Sequence, residues 1–152
     1  MTKILVLSDS HGNIDGIKKV LDKEKDYDYV FHLGDYITDM DGFLKLLKQK
    51  AYCVRGNCDG GSFDLELNLS GVKILLTHGN DYKVKYSLTR LFLKAQEGEY
   101  NLVCFGHTHV PTLEVQNGIT LFNPGALSKH GKGCYGIIEI DNGNINARFK
   151  EI

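Results

Sequence analysis

Apolar positions along the chain fall into two regimes. Up to about residue 54, strand-like runs alternate with runs of helical spacing. Residues 3–8 read as a compact apolar strand, after which Ile14, Ile17, Val20 and Leu21 recur on one helical face. Residues 29–33 read as a second strand, Phe43, Leu44, Leu46 and Leu47 mark a second helix, and residues 51–54 form a third strand. This β-α-β-α-β order predicts parallel strands with right-handed crossovers. Beyond it, Leu65, Leu67 and Leu69 alternate with polar residues, Ser70 and Gly71 turn the chain, and residues 72–76 return as a strand. A helix is expected over residues 84–95, with Leu88, Leu91, Phe92 and Ala95 as its core face, then a strand at 102–105. Asn117-Gly118 and Asn142-Gly143 each separate two strand-like runs, a strong hairpin signal. The expectation is one α/β domain over residues 1–152: a two-sheet β-sandwich flanked by helices, with a βαβαβ start and a hairpin-rich C-terminal part.

Composition narrows the function classes. The formal net charge of −1 exerts no global pull toward nucleic acid or an anionic membrane, so an anionic ligand needs local attraction, for instance by bound cations. No apolar run approaches the ~20 residues of a membrane span, and the N-terminus lacks the apolar stretch of a secretory signal. Cys53, Cys58, Cys104 and Cys134 are widely spaced without a CxxC pair, which points to reduced thiols and a cytoplasmic location.

The candidate chemistry lies where apolar runs meet glycines. In order come Asp9, Ser10 and His11; Gly34 and Asp35; Gly56, Asn57, Cys58 and Asp59; His78 and Gly79; Gly106, His107, Thr108 and His109; and Asn123, Pro124 and Gly125. Carboxylate, imidazole and amide oxygen suit borderline divalent ions such as Mn²⁺, Zn²⁺, Fe²⁺ or Ni²⁺. On an extended segment, residues i and i+2 point to the same side. Asp9 with His11, and His107 with His109, are therefore each expected to address one ion, and Asp35, with two oxygens, is the natural bridge between two. Singly, each residue has a simpler reading: Asp9 or Asp35 as a helix N-cap, Asn57 as a turn residue, the histidines as structural. Jointly, four of the six histidines, both aspartates and Asn57 fall at predicted strand ends, and the metal reading is the stronger. His32, inside a strand, reads as packing or support; His130 as a loop residue within reach of a substrate phosphate; Cys53 and Cys104 as strand core.

The series DxH, GD, GNCD, H, GHTH and NPG, in that order over nearly the whole chain, resembles the calcineurin-like metallophosphoesterase family and its small bacterial and archaeal phosphodiesterase branch. The resemblance implies a two-sheet sandwich with metals at the strand ends. It implies one ion held by Asp9, His11, Asp35 and His109, and another by Asp35, Asn57, His78 and His107, with Mn²⁺ favoured over Ni²⁺, Zn²⁺ and Fe²⁺. Asp35, Asn57, Cys58, Asp59 and His78 are the expected catalytic set, Asp59 acting from behind the ligands. The implied activity is hydrolysis of a small phosphodiester by a hydroxide bridging the two ions. Two divalent cations, two aspartates and one hydroxide leave a charge of about +1, which a diester monoanion neutralises and a monoester dianion overshoots. Cys58 stands where larger relatives carry a histidine thought to protonate the leaving oxygen. A thiol of pKa ~8.5 does this poorly, so slow turnover or acidic leaving groups are expected.

The alternative is a scaffold or interaction module of the same fold, as in a retromer-coat subunit that resembles this branch. Such a module should have lost ligands or expose a large apolar patch, whereas every expected ligand is present. Nucleic acid enters only as a substrate, no membrane partner is expected, and homo-oligomer formation stays open.

Overall fold

Alternation of short apolar strands with amphipathic helices produces two five-stranded sheets packed face to face. A computed structural model describes residues 1–130 and 132–152. The chain runs β1 (Thr2–Leu7), α1 (Ile14–Lys23), β2 (Tyr29–His32), α2 (Asp41–Leu47), β3 (Ala51–Cys53), β4 (Leu65–Leu69) and β5 (Val72–Leu76). It continues through α3 (Thr89–Glu97), β6 (Leu102–Cys104), β7 (Thr112–Gln116), β8 (Ile119–Asn123), β9 (Cys134–Asp141) and β10 (Asn144–Glu151). One sheet has the order β10-β9-β1-β2-β3, the other β4-β5-β6-β8-β7. As expected from the βαβαβ start, β1, β2 and β3 are parallel. β5, β6 and β8 are also parallel. Both Asn-Gly pairs close hairpins, with φ of 50° at each asparagine and 74° and 79° at the glycines.

Ile4, Val6, Phe31 and Leu33 of the first sheet and its strand ends meet Ile74, Leu76, Leu102, Cys104 and Phe122 of the second. α1 and α2 cover the outer face of the first sheet through Ile17, Val20, Leu21 and Leu47, which pack on Leu5, Leu7, Val30 and Ile137. α3 covers the second sheet through Leu91 and Ala95. At about 1.5–3 kcal/mol per fully buried large aliphatic or aromatic side chain, this packing rather than helix propensity holds the short helices in place.

One expectation about the elements needs correction. The third helix begins at Thr89, not at residue 84. A 3₁₀ turn (Asn80–Tyr82) closes on Lys83 in the left-handed region (φ 56°), and Val84 is buried as a loop residue. α2 forms where expected; in it Leu44 and Leu46 face solvent, whereas Phe43 and Leu47, with Met40 just before the helix, form the core stripe. Cys104 is buried as expected, Cys53 only half-buried against the outer cluster, and all four thiols are free. Among the described residues, no helix is long and apolar enough to cross a membrane.

Candidate metal centre

The chain turns back abruptly just beyond the C-terminal ends of β1, β2 and β6. Asp9 and His11 have φ of 53° and 42°, Asp35 and Tyr36 of 61° and 65°, His107 and His109 of 70° and 63°. A β-carbon makes this left-handed region costly, and such strain concentrates at functional sites. The extended i, i+2 geometry expected for the two pairs is therefore not what forms, because the backbone must bend over the sheet edge immediately after the last ladder residue. Asp9 and His11 still meet, Oδ1 to Nε2 3.8 Å. His107 and His109 part company: His109 Nε2 lies 3.1 Å from Asp9 Oδ1, while His107 Nδ1 lies 3.2 Å from His78 Nε2.

Asp9 is fully buried. Its Oδ2 accepts from the Ser8 hydroxyl and, at 3.1 Å, from the His107 N–H. Its Oδ1 faces Nε2 of His11, His78 and His109 at 3.8, 3.8 and 3.1 Å. Yet Asp9 Oδ1 and His11 Nε2 have no hydrogen-bond partner among the described residues. Leaving a buried polar atom unsatisfied costs about 1–3 kcal/mol, more when it is charged. A cation among these atoms would relieve both, and carboxylate plus imidazole is a donor set that divalent first-row ions accept.

Asp35 lies across the same space. Its Oδ1 accepts from the Cys58 N–H at 2.9 Å, and its Oδ2 sits 3.4 Å from His78 Nε2 and 3.7 Å from His11 Nε2. Burial pushes this carboxyl up, but His78 and the Cys58 N–H outweigh it and hold it well below the usual range. His78 Nδ1 is 2.7 Å from the Leu33 carbonyl, which only accepts, so Nδ1 carries the proton and Nε2 is turned toward the carboxylates. Burial lowers the His78 pKa, yet Asp35 and Asp9 raise it on balance. Burial, then the charge of His78, lowers that of His107. Three donor sets have their atoms mutually within 4.8 Å: Asp9, His11 and His109; Asp35, His78 and His107; and His11, Asp35 and Cys58. Asn57 is exposed, and its side-chain amide donates to Cys58 Sγ at 3.7 Å.

Behind these groups, Asp59 accepts from the N–H groups of Asp35 (2.7 Å), Gly56 (2.9 Å) and Ile37 (3.1 Å), tying two site loops together. Gly34, at φ 99°, could not carry a β-carbon, which would stand 2.7 Å from His78 Nδ1 and 2.8 Å from the Gly56 nitrogen. Asn123 braces the GHTH loop, donating to Gly106 O and Thr108 Oγ1 at 3.0 Å each. Neither Asp9 nor Asp35 caps a helix; Asn13 caps α1 through Gly16 N–H.

A supporting network escaped the sequence reading in part. His32 Nδ1 accepts from Gly34 N–H at 3.3 Å, so its Nε2 donates to Ser10 Oγ at 2.9 Å. Ser10 in turn donates to Asp39 at 2.8 Å, and Asp39 also accepts from Gly12 N–H at 2.7 Å. Burial lowers the His32 pKa to about 4, consistent with this neutral tautomer. His32 thus supports the DxH loop, but no local pattern marks Asp39 as its partner. An open groove of about 450 Å³ adjoins His11 and His109, lined by Tyr36, Ala126, Ser128, His130 and Lys132 among others.

The chain has relatives of similar sequence and fold. Residues 2–143 match the family model of the calcineurin-like phosphoesterase superfamily domain. The chain belongs to this superfamily. Among its metallophosphoesterase relatives, probable metallophosphoesterase YsnB of Bacillus subtilis is 32% identical, with 96% of this chain and 89% of that protein covered. Phosphodiesterase YfcE of Escherichia coli is 26% identical, with 93% and 89% covered. A predicted phosphoesterase of Streptococcus pneumoniae superposes with a TM-score of 0.81 at 29% identity, covering 99% of this chain and 89% of that one. Vacuolar Protein Sorting 29 of Cryptosporidium parvum shares the fold, with a TM-score of 0.77 at 17% identity and coverage of 99% and 97%.

Proposed function

We propose that this metallophosphoesterase is a divalent-metal-dependent phosphodiesterase with a two-ion centre, acting on small phosphodiesters in the cytoplasm. Asp9, His11, Asp35 and His109 would hold one ion; Asp35, Asn57, His78 and His107 the other, Asp35 serving both. The observation that carries this reading is the buried Asp9 Oδ1, without a hydrogen-bond partner among the described residues and with three imidazole nitrogens 3.1 to 3.8 Å away. When bound, two such cations supply Lewis acidity toward the phosphoryl oxygens and acidify the attacking water.

The chain's own residues do the positioning. The Leu33 carbonyl holds His78 in the tautomer whose Nε2 faces inward. Asp59 keeps the loops of Asp35 and Asn57 in register. The groove beside His11 and His109 offers room for the remainder of the ester, with Ser128, His130 and Lys132 as polar and basic contacts. With two carboxylates neutralising part of the cationic charge, a diester monoanion is the better-matched substrate.

The test is hydrolysis of a chromogenic aryl phosphodiester and the matching monoester by metal-stripped protein, with Mn²⁺, Ni²⁺ or Zn²⁺ added back. Metal-dependent diester cleavage, reduced by a factor of ~10³ or more in His78→Ala and Asp35→Asn, is the expected result. A monoester preference would refute the diester assignment, and cleavage untouched by either substitution would refute the site.

A further inference from the structure

We infer that Cys58 is a direct ligand of the ion held by His11 and Asp35, and that this site consequently takes a thiophilic cation such as Zn²⁺ ahead of Mn²⁺. The inference rests on the proposed metal centre and adds to it a sulfur donor absent from both ligand sets above.

The geometry carries it. Cys58 Sγ, a carboxylate oxygen of Asp35 and a ring nitrogen of His11 lie mutually within 4.8 Å, the same limit met by the two carboxylate–imidazole sets. Zinc bonds of ~2.0–2.3 Å place two ligands of one ion at most about 4.6 Å apart, so small side-chain movements close the set. Cys58 is exposed and can make such a movement without disturbing the core. Its backbone N–H is bound to Asp35 Oδ1 at 2.9 Å, which keeps the thiol beside that carboxylate. The site loop itself is closed by reciprocal backbone bonds between Arg55 and Phe63.

His11, shared by this set and by the set of Asp9 and His109, also faces Asp9 Oδ1. That oxygen is fully buried and sits 3.8 Å from His11 Nε2, and among the described residues neither atom has a hydrogen-bond partner. When an ion binds, the Cys58 proton leaves to solvent and the thiolate takes its place on the metal. The Asn57 amide, donating to the sulfur at 3.7 Å, then supports the added negative charge. Thiolate is a soft donor, which favours Zn²⁺ and Cd²⁺ over Mn²⁺. Its charge also reduces the net positive charge available to an anionic substrate, so the bond that secures the ion slows turnover.

Metal-stripped protein titrated with Co²⁺ and Cd²⁺ tests this. Wild-type protein should give Co²⁺ ligand-field bands in the visible together with a near-ultraviolet thiolate-to-metal charge-transfer band. Cys58→Ser should keep the first and lose the second; Cys134→Ser, which alters another thiol in the adjoining groove, should keep both. Cys58→Ser should also weaken Cd²⁺ binding ~10- to 100-fold while changing Mn²⁺ binding less than about threefold. Ligand-field bands without charge transfer in the wild type, or a charge-transfer band that survives Cys58→Ser, would overturn the sulfur ligand and leave the metal centre standing. Absence of any Co²⁺ binding would overturn both.

Discussion

Asp59 belongs to none of the three donor sets, yet three backbone N–H groups converge on its carboxylate. Asp59→Ala would strand all three. Hydrogen bonds to a charged acceptor contribute roughly 1.5–3 kcal/mol each and are not additive here, so a loss on the order of 3 kcal/mol in urea denaturation is expected. Because Asp35 and Gly56 lose a common anchor, metal affinity should fall ~10- to 100-fold by calorimetric titration. Asp59→Asn, which retains an acceptor oxygen, should recover part of both losses. Residue types at strand ends made the donors legible from sequence. Spacing did not give their partners: the family resemblance grouped His109 with Asp9 and His107 with His78, whereas the i, i+2 rule of extended chains does not describe the left-handed turns on which those pairings depend.

At the scale of elements, α1 is tied to three adjacent strands of the first sheet, β10, β9 and β1, through one carboxylate. Glu24, its C-cap, accepts from Tyr135 of β9 at 2.7 Å and Lys150 of β10 at 2.5 Å, with Lys3 of β1 at 3.5 Å. Burial pushes the Glu24 pKa up, but the bonds from Lys150 and Tyr135 and the nearby charges bring it below its ordinary 4.5. A carboxyl lowered in the folded state contributes stability that is complete above the unfolded pKa and disappears as pH falls through the folded value. Wild-type Tm should therefore decline as pH drops below about 4.5, and Glu24→Gln should lose ~1–2 kcal/mol at neutral pH while flattening this acid limb. Differential scanning calorimetry from pH ~3 to ~7 measures both. A Glu24→Gln curve parallel to that of the wild type would contradict this account. The strands joined here were readable because hairpins advertise themselves in Asn-Gly pairs, a matter of local backbone sterics. The start of α3 was not, because a 3₁₀ turn and a left-handed Lys83 displaced it and Val84 was drawn into the core as loop.

For the whole molecule, a cation that binds only the folded state adds stability by mass action. Chelation should lower Tm, and restoring a divalent ion at ~100 times its Kd should add about 2.7 kcal/mol per site, or ~5–10 °C for a chain of this size. His78→Ala should shrink that increment, and an equal shift in wild type and variant would place the ions elsewhere. A scaffold of the same fold has no need of such coupling, so the measurement also bears on that alternative.

The sequence by itself determined the order of strands and helices, both hairpins, the family and the donor types, because periodicity, turn chemistry and ligand chemistry are local properties of the chain. Tertiary structure decided which donors share a space. Asp9 accepts from His107 across 98 residues, and Cys58 lies beside His11 and Asp35 where Asp59 and the Cys58 N–H both tie the two loops together. Such neighbourhoods depend on how strand ends bend over the sheets, and no local spacing rule encodes that.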